Sequence, residues 1–222
     1  MNTNLSSFAL FEGLSKLQIE QVLSNLHADF FKYSKGNYLL SAGQTPRFGL
    51  LIEGSAQVIK EDFWGHRSLL AQLQPGDLFG ESFVLSNQSS LPVSVIANDS
   101  VKVVFLHPEY FFDATSFPPK VHAQLVTNLA RILAQKNLVL SQKIEHITKR
   151  SIRTKLLSYL SQQALQAHNP CFSISMNRQQ LADYLSVDRS ALCSELSRMQ
   201  KEGILEYRKN HFILYDTEPS GY

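Results

Sequence analysis

The segment MNRQQLADYLSVDRSALCSELSRMQKEGIL, residues 176–205, constrains the fold more than any other, because both ends of two consecutive helices are written into it. Asn177 followed three residues later by Gln180 is a capping box, and Ser186-Val187 leaves room only for a tight turn. Asp188 then supplies the cap of the second helix, and Gly203 supplies its stop. Leu181, Ala182, Leu185, Leu192, Leu196 and Met199 fall on one buried face shared by both helices, which is helix-turn-helix patterning. ILEYRKNHFILY follows and reads as a strand pair around Arg208-Lys209-Asn210, so the unit has the form of a winged helix.

The rest of the chain is organised differently. Ser15 with Gln18 predicts a capped helix, carried by Leu17, Ile19, Val22, Leu23 and Leu26 and ending near His27. From Asp29 to His107 the pattern changes to short β-branched and aromatic runs, each closed by a glycine-bearing turn: SKGN, SAGQ, EGS, DFWGH and PGD. FGLLIEG, SAQVIKE and HRSLLAQL read as strands, with DFWGH turning the chain between the last two. Strands this short and regular predict a β-roll, a jelly-roll-like barrel with an interior able to hold a small ligand. After FPPK the signal is helical: Leu125, Leu129, Leu133, Lys136, Leu140, Ile144 and Ile147 follow steps of three and four. A helix of that length outruns a small barrel, so it is expected to pair with its copy in a second chain; burial on its own barrel is the alternative. Arg153 to Ala167 predicts another helix, stopped by HNP, and CFSIS a brief strand.

The fold class is therefore α+β: an N-terminal β-roll sensor barrel over 1–119, a long dimerisation helix over 120–147, and a winged helix-turn-helix over 148–222. The charge supports that division. Residues 1–119 carry a net −4 and residues 120–222 a net +6, so the second half is the one expected to meet a polyanion. The two cysteines, Cys171 and Cys193, have no CxxC spacing, and seven scattered histidines form no HxH or HxxxH pair. No metal site and no cofactor is expected, and the histidines read as solvated or singly hydrogen-bonded. The N-terminus lacks a basic region followed by an apolar core, and no apolar run reaches membrane-spanning length. The expected location is the cytoplasm, with no membrane partner.

The order β-roll, long helix, winged helix-turn-helix resembles the Crp/Fnr family of bacterial transcription regulators, from about Phe8 to Tyr215. PGDLFGE at 75–81, the long helix, and NRQQLADYLSVDRSALCSELSRMQKEGIL at 177–205 carry the likeness. Arg189 and Ser190 stand on the first turn of the second helix and Ser194 lies four residues on, on the same face. By resemblance these three read bases. Arg189 has the fork to bond guanine O6 and N7 together, its alternatives being a phosphate clamp or a solvated charge. Asn177, Arg178 and Gln179 open the preceding helix, where backbone N–H groups and the dipole favour a phosphate. Lys149, Arg150, Arg153, Arg208 and Lys209 are further backbone candidates. Cyclic-AMP-responsive members carry Glu and Arg where Ser190 and Ser194 stand, so their target sequence does not transfer. The expected partners are a near-palindromic double-stranded DNA operator, a second copy of the chain, a small-molecule effector and, for an activator, RNA polymerase.

The resemblance also raises a question about the effector. In cyclic-nucleotide-binding relatives a Gly-Glu pair at Gly80-Glu81, continued by Ser82, contacts ribose and phosphate, and an Arg followed by Ser or Thr neutralises the phosphate. Those last two positions here are Leu91 and Pro92. A phosphodiester buried without a cation costs several kcal/mol, so the effector is expected not to be cyclic AMP or cyclic GMP. Glu81 either contacts a ligand or accepts hydrogen bonds from the barrel turn. Lys136 and Asn137 fall, by resemblance, at the level of the nucleotide base. Lys136 either faces the pocket to hold an anionic group, snorkels to solvent, or serves only to fix the helix register. The rival from another class is a cupin-like barrel enzyme, which needs two or three histidines and a carboxylate converging in the barrel; His66 and His107 are the only candidates.

Overall fold

The protein is described by a computed structural model, which defines residues 5–215 apart from 65, 66 and 114. The chain divides into two compact units, residues 1–133 and 134–222, with the boundary inside one long helix.

Two short 3-10 turns, Leu5–Ser7 and Ala9–Phe11, precede α1 (Lys16–Asn25), which carries the expected Ser15/Gln18 capping box. His27, at φ 47°, turns the chain out of that helix into β1 (Asp29–Tyr33). The barrel continues through β2 (Tyr38–Leu40), β3 (Phe48–Glu53), β4 (Ala56–Glu61), β5 (Arg67–Leu73) and β6 (Leu78–Phe79). A single helical turn, α2 (Glu81–Leu85), interrupts the strands before β7 (Ser94–Ala97) and β8 (Val101–Leu106). Two antiparallel four-stranded sheets result, ordered β1-β8-β3-β6 and β2-β7-β4-β5. α3 (Pro108–Phe111) leads to α4 (Pro119–Ile147), expected over 120–147.

Alternation within β3 and β8 distributes two cores. One face of the first sheet presents Phe48, Leu50, Ile52, Val104 and Leu106 to α1 and to Val121, Leu125 and Leu129 of α4. The opposite face turns Leu51, Val103 and Phe105 into the barrel, where they meet Leu39, Leu40, Leu73, Phe79, Leu91 and Val95. Because both faces are covered, β3 is apolar from Phe48 to Ile52 rather than alternating. Gly49 lets the barrel close. A Cβ there would lie 2.2 Å from the Phe79 ring, which folds over the glycine and meets Phe105 edge-on at 5.8 Å.

The second unit contains the end of α4, then α5 (Ile152–Ala167), β9 (Cys171–Ser173), α6 (Arg178–Leu185), α7 (Arg189–Lys201), β10 (Leu205–Arg208) and β11 (His211–Leu214). The sheet order is β10-β11-β9, all antiparallel. α5 stops at His168, in the left-handed region at φ 49°, as HNP requires. Leu181, Ala182, Leu185, Leu192, Leu196 and Met199 share one core with Leu156, Leu160, Phe172 and Phe212. The Asn177/Gln180 box opens α6, Ser186 at φ 54° ends it, Asp188 caps α7, and Gly203 at φ 73° releases the chain into β10.

Two expectations about apolar stripes fail in part. Leu17, on the helical spacing of α1, is 72% exposed, because α1 begins only one residue earlier and its buried face is Ile19 and Val22. Leu125 and Leu129, assigned to an intersubunit seam, are 0% and 3% exposed. They are consumed by the core of their own unit and have no surface left for a partner.

Candidate functional site

In the second unit, the site is the exposed edge of α7 with the turns that flank it. Asp188 accepts from the Ala191 N–H at 2.9 Å, and its bonds with Ser190 and Ala191 hold its carboxyl below the usual carboxylate range. The same carboxylate accepts from Ser190 Oγ at 2.5 Å, and Ser194 Oγ donates to the Ser190 carbonyl at 2.9 Å. Both serine hydroxyls are thus turned onto their own helix, whereas Arg189 is exposed on the first turn. Arg189, Ser190 and Ser194 lie together on this edge, as their spacing requires.

The basic residues divide into two groups. Lys149, Arg150, Arg208 and Lys209 are exposed, as are Asn177 and Gln179; Gln179 Nε2 donates to Asp183 at 2.9 Å. Arg178 and Arg153, expected as backbone candidates, are half-buried and engaged with groups of their own unit. The Arg178 guanidinium lies over the rings of Tyr207 (4.9 Å) and Phe212 (5.0 Å) and donates to the Lys209 carbonyl, so it fastens the wing turn to the start of α6. Burial draws its pKa down, as expected for a guanidinium packed between rings. Arg153 pairs with Glu202 and, at 3.4 Å, with Glu195, tying α5 to α7 in ion-pair range without hydrogen-bond alignment. Nothing local marks either arginine as structural; both partners arrive from distant segments.

His146 is a further anchor that the sequence reading passed over as an ordinary histidine. It is 2% exposed, with Nε2 donating to Gln162 Oε1 at 2.6 Å and Nδ1 accepting from Ser158 Oγ at 2.8 Å. Its ring meets Tyr159 edge-on at 5.7 Å, and burial pushes the Tyr159 phenol up to about 12. The last turn of α4 is thereby fixed to α5. Lys155 Nζ, donating to the Leu185 carbonyl at 3.2 Å, fixes α5 to the end of α6.

In the first unit, Gly80 takes φ 76° and a Cβ on it would lie 2.2 Å from the Arg47 carbonyl oxygen. It is the residue before α2, whose first residue, Glu81, is 3% exposed and accepts from Ser82 Oγ at 3.2 Å. Leu91 is 2% exposed and packs in the barrel core with Phe79 and Phe105, while Pro92 faces outward. Arg47, which the sequence reading did not single out, holds its guanidinium 3.8 Å over the Phe105 ring and 3.9 Å from Asp29. Lys136 and Asn137 are exposed on α4. His107 stands between Asp29 (3.6 Å) and Glu109 (3.2 Å), and His66 lies outside the described residues. Among the described residues, no three His, Cys, Asp or Glu side chains converge as metal ligands, and no helix is long and apolar enough to cross a membrane.

A β-roll with a long helix, joined to a winged helix-turn-helix, defines a DNA-binding regulator with a sensor domain. Family comparison agrees: the cyclic nucleotide-binding domain matches residues 30–116, and the Crp-like helix-turn-helix domain matches residues 154–218. The chain belongs to the Crp/Fnr family of transcription regulators. It is 22% identical over 197 residues to the cyclic AMP receptor protein of Thermus thermophilus, covering 88% of this chain and 87% of that one. It is also 22% identical over 201 residues to the cAMP-activated global transcriptional regulator CRP of Pasteurella multocida, covering 90% and 95%. Among solved structures it resembles CprK with a TM-score of 0.68 at 13% identity, covering 88% of this chain and 89% of that one. CooA of Carboxydothermus hydrogenoformans gives 0.61 at 20% identity, covering 97% and 93%. These likenesses establish the fold.

Proposed function

We propose that the protein is a homodimeric, effector-controlled regulator that reads a near-palindromic operator in the cytoplasm and carries out no catalysis. Residues 1–119 serve as the effector domain, 120–147 as the dimerisation helix and 148–222 as the DNA-binding domain. The observation that supports this best is Arg189, exposed on the capped first turn of α7. Its guanidinium has no competing bond among those described, whereas the neighbouring Ser190 and Ser194 hydroxyls must first leave their own helix. A guanine in each half-site is the base such a fork recognises. Asn177, Gln179, Lys149, Arg150, Arg208 and Lys209 hold the backbone and set the register.

The test is operator selection followed by substitution of each base pair in turn. Arg189→Ala is expected to weaken binding by about 10- to 100-fold and to abolish the guanine preference at one position per half-site. Equal affinity at every substituted position would refute base reading by Arg189. As an activator, the dimer would also contact RNA polymerase.

For the effector, the support is Leu91. The side chain where a phosphate-binding arginine stands in cyclic-nucleotide-binding relatives is packed against the aromatic core. Cyclic AMP and cyclic GMP are expected to leave the melting temperature of the full chain unchanged at millimolar concentration, since a ligand bound only to the native state must raise it. A rise of several degrees with either nucleotide would overturn the exclusion. The effector is then another small molecule, and Gly80, Glu81, Ser82, Lys136 and Asn137 are the residues to test against it.

A further inference from the structure

The wing sheet carries a cluster outside the proposed DNA-contact residues. Strand alternation turns Phe172 and Phe212 into the core and leaves Cys171, Ser173 and His211 on the opposite, exposed face. His211 pairs with Ser173 in the β9–β11 register, and Cys171 pairs with Ile213, so the imidazole reaches diagonally to the thiol. His211 Nε2 lies 3.3 Å from Cys171 Sγ, and Nδ1 lies 3.0 Å from Ser173 Oγ. With the Nδ1–H donated to Ser173, the Nε2 lone pair points at the thiol. After proton transfer Nε2–H points at a thiolate, and the Ser173 bond is unchanged. A nucleophile, a base and a group that orients the base are therefore assembled on one surface.

We infer that Cys171 is an oxidation site for small hydroperoxides, activated by His211 and oriented through Ser173. The thiol proton moves to Nε2, and the thiolate sulfur attacks one peroxide oxygen. The O–O bond breaks, and the departing hydroxide, or the alkoxide from an organic hydroperoxide, takes the proton from the imidazolium to leave as water or alcohol. Cys171 becomes a sulfenic acid, the sulfur being oxidised by two electrons and the peroxide reduced. The exposed strand face leaves the thiol open to a small oxidant.

The site bears on DNA binding because of its other neighbours. Arg208 stands opposite His211 in the β10–β11 register, both exposed, and Cys171 lies on β9 on the other side of β11. Asn210, which bonds Ile174 across the strands in both directions, links β9 to the wing turn, so a displacement of β9 on oxidation of Cys171 is passed to the turn that carries Arg208 and Lys209. This second step rests on the proposed wing contact with DNA; the thiol chemistry does not.

The test treats the full chain with hydrogen peroxide at neutral pH, traps sulfenic acid with dimedone and locates it by peptide mass spectrometry. Cys171 is expected to react at least about tenfold faster than glutathione. His211→Gln should remove the advantage, and Ser173→Ala should reduce it. A rate no greater than that of glutathione, or one indifferent to both substitutions, would overturn the assignment. Oxidation is expected to weaken operator binding in the wild type and to leave it unchanged in Cys171→Ser. Equal weakening in Cys171→Ser would remove the regulatory step while the trapping result stood on its own. Absence of operator binding before oxidation would count against the DNA reading alone.

Discussion

Gly80→Ala is expected to destabilise the N-terminal unit by about 3–5 kcal/mol, whereas Gly203→Ala destabilises the C-terminal unit by about 1 kcal/mol. Both glycines have left-handed φ, 76° and 73° respectively. They differ in what surrounds them. A Cβ on Gly80 would meet the backbone oxygen of Arg47 at 2.2 Å and Leu40 Cδ1 at 3.2 Å, while nothing lies within 4 Å of one on Gly203. The intrinsic penalty for a left-handed alanine is common to both, about 1–2 kcal/mol. The remainder at Gly80 arises because a carbonyl held at the start of β3 cannot retreat without disturbing the buried run Phe48 to Leu51. The measurement is urea dependence of hydrogen exchange in peptides from β3 and β6, compared with peptides from α7 and β10. Trp64 fluorescence is a poor substitute, because the chain's single tryptophan is 78% exposed. Similar losses at the two glycines would show that the close approach of Arg47 does not exist. The expected contrast also shifts the meaning of PGDLFGE: its second glycine is required by the architecture of the barrel turn whether or not a ligand ever binds there.

What could be read from the chain in advance follows from the range of the interactions. The Ser15/Gln18 and Asn177/Gln180 boxes, the Asp188 cap and the Gly203 exit were legible because each is settled within three or four residues. The shared apolar face of α6 and α7 was legible for the same reason. Residues whose roles depend on distant partners were not. Arg178 is indistinguishable in sequence from an exposed cation at a helix start until Tyr207 and Phe212 close over it. Arg153 needs Glu195 and Glu202, and His146 needs Ser158 and Gln162 from the following helix. The long-helix stripe shows the limit most plainly. Its period is uniform, yet Leu125 and Leu129 are buried within the first unit while Leu140 and Ile144 are 58% and 48% exposed. Periodicity fixes which side chains share a face, and says nothing about what covers it.

That contrast gives the expected result of cutting the stripe in two. Leu140→Asp combined with Ile144→Asp is expected to convert the protein to a monomer by sedimentation and to weaken operator binding by at least about 10³-fold, toward the non-specific level. Leu140 and Ile144 are one helical turn apart and form a contiguous apolar strip in the part of α4 that lies beyond the first unit's core. Leu133, Lys136 and Ile147 continue the same face in steps of three and four, the arrangement of a coiled-coil seam. Aspartates on both helices of such a seam set like charges against each other in an apolar contact, which neither chain can relieve by rotating. Leu125→Ala provides the contrasting outcome. Its side chain is fully enclosed in the first unit, so it should lower the stability of that unit by about 2–5 kcal/mol and leave the subunit association unchanged. The loss of DNA affinity in the double variant is expected without any contact between α4 and DNA, because a near-palindrome is read with full affinity only when two α7 helices are held about 34 Å apart, one turn of the duplex. A monomeric double variant that kept its operator affinity would disprove the dimeric reading, and a double variant that remained dimeric would place the seam elsewhere on the chain.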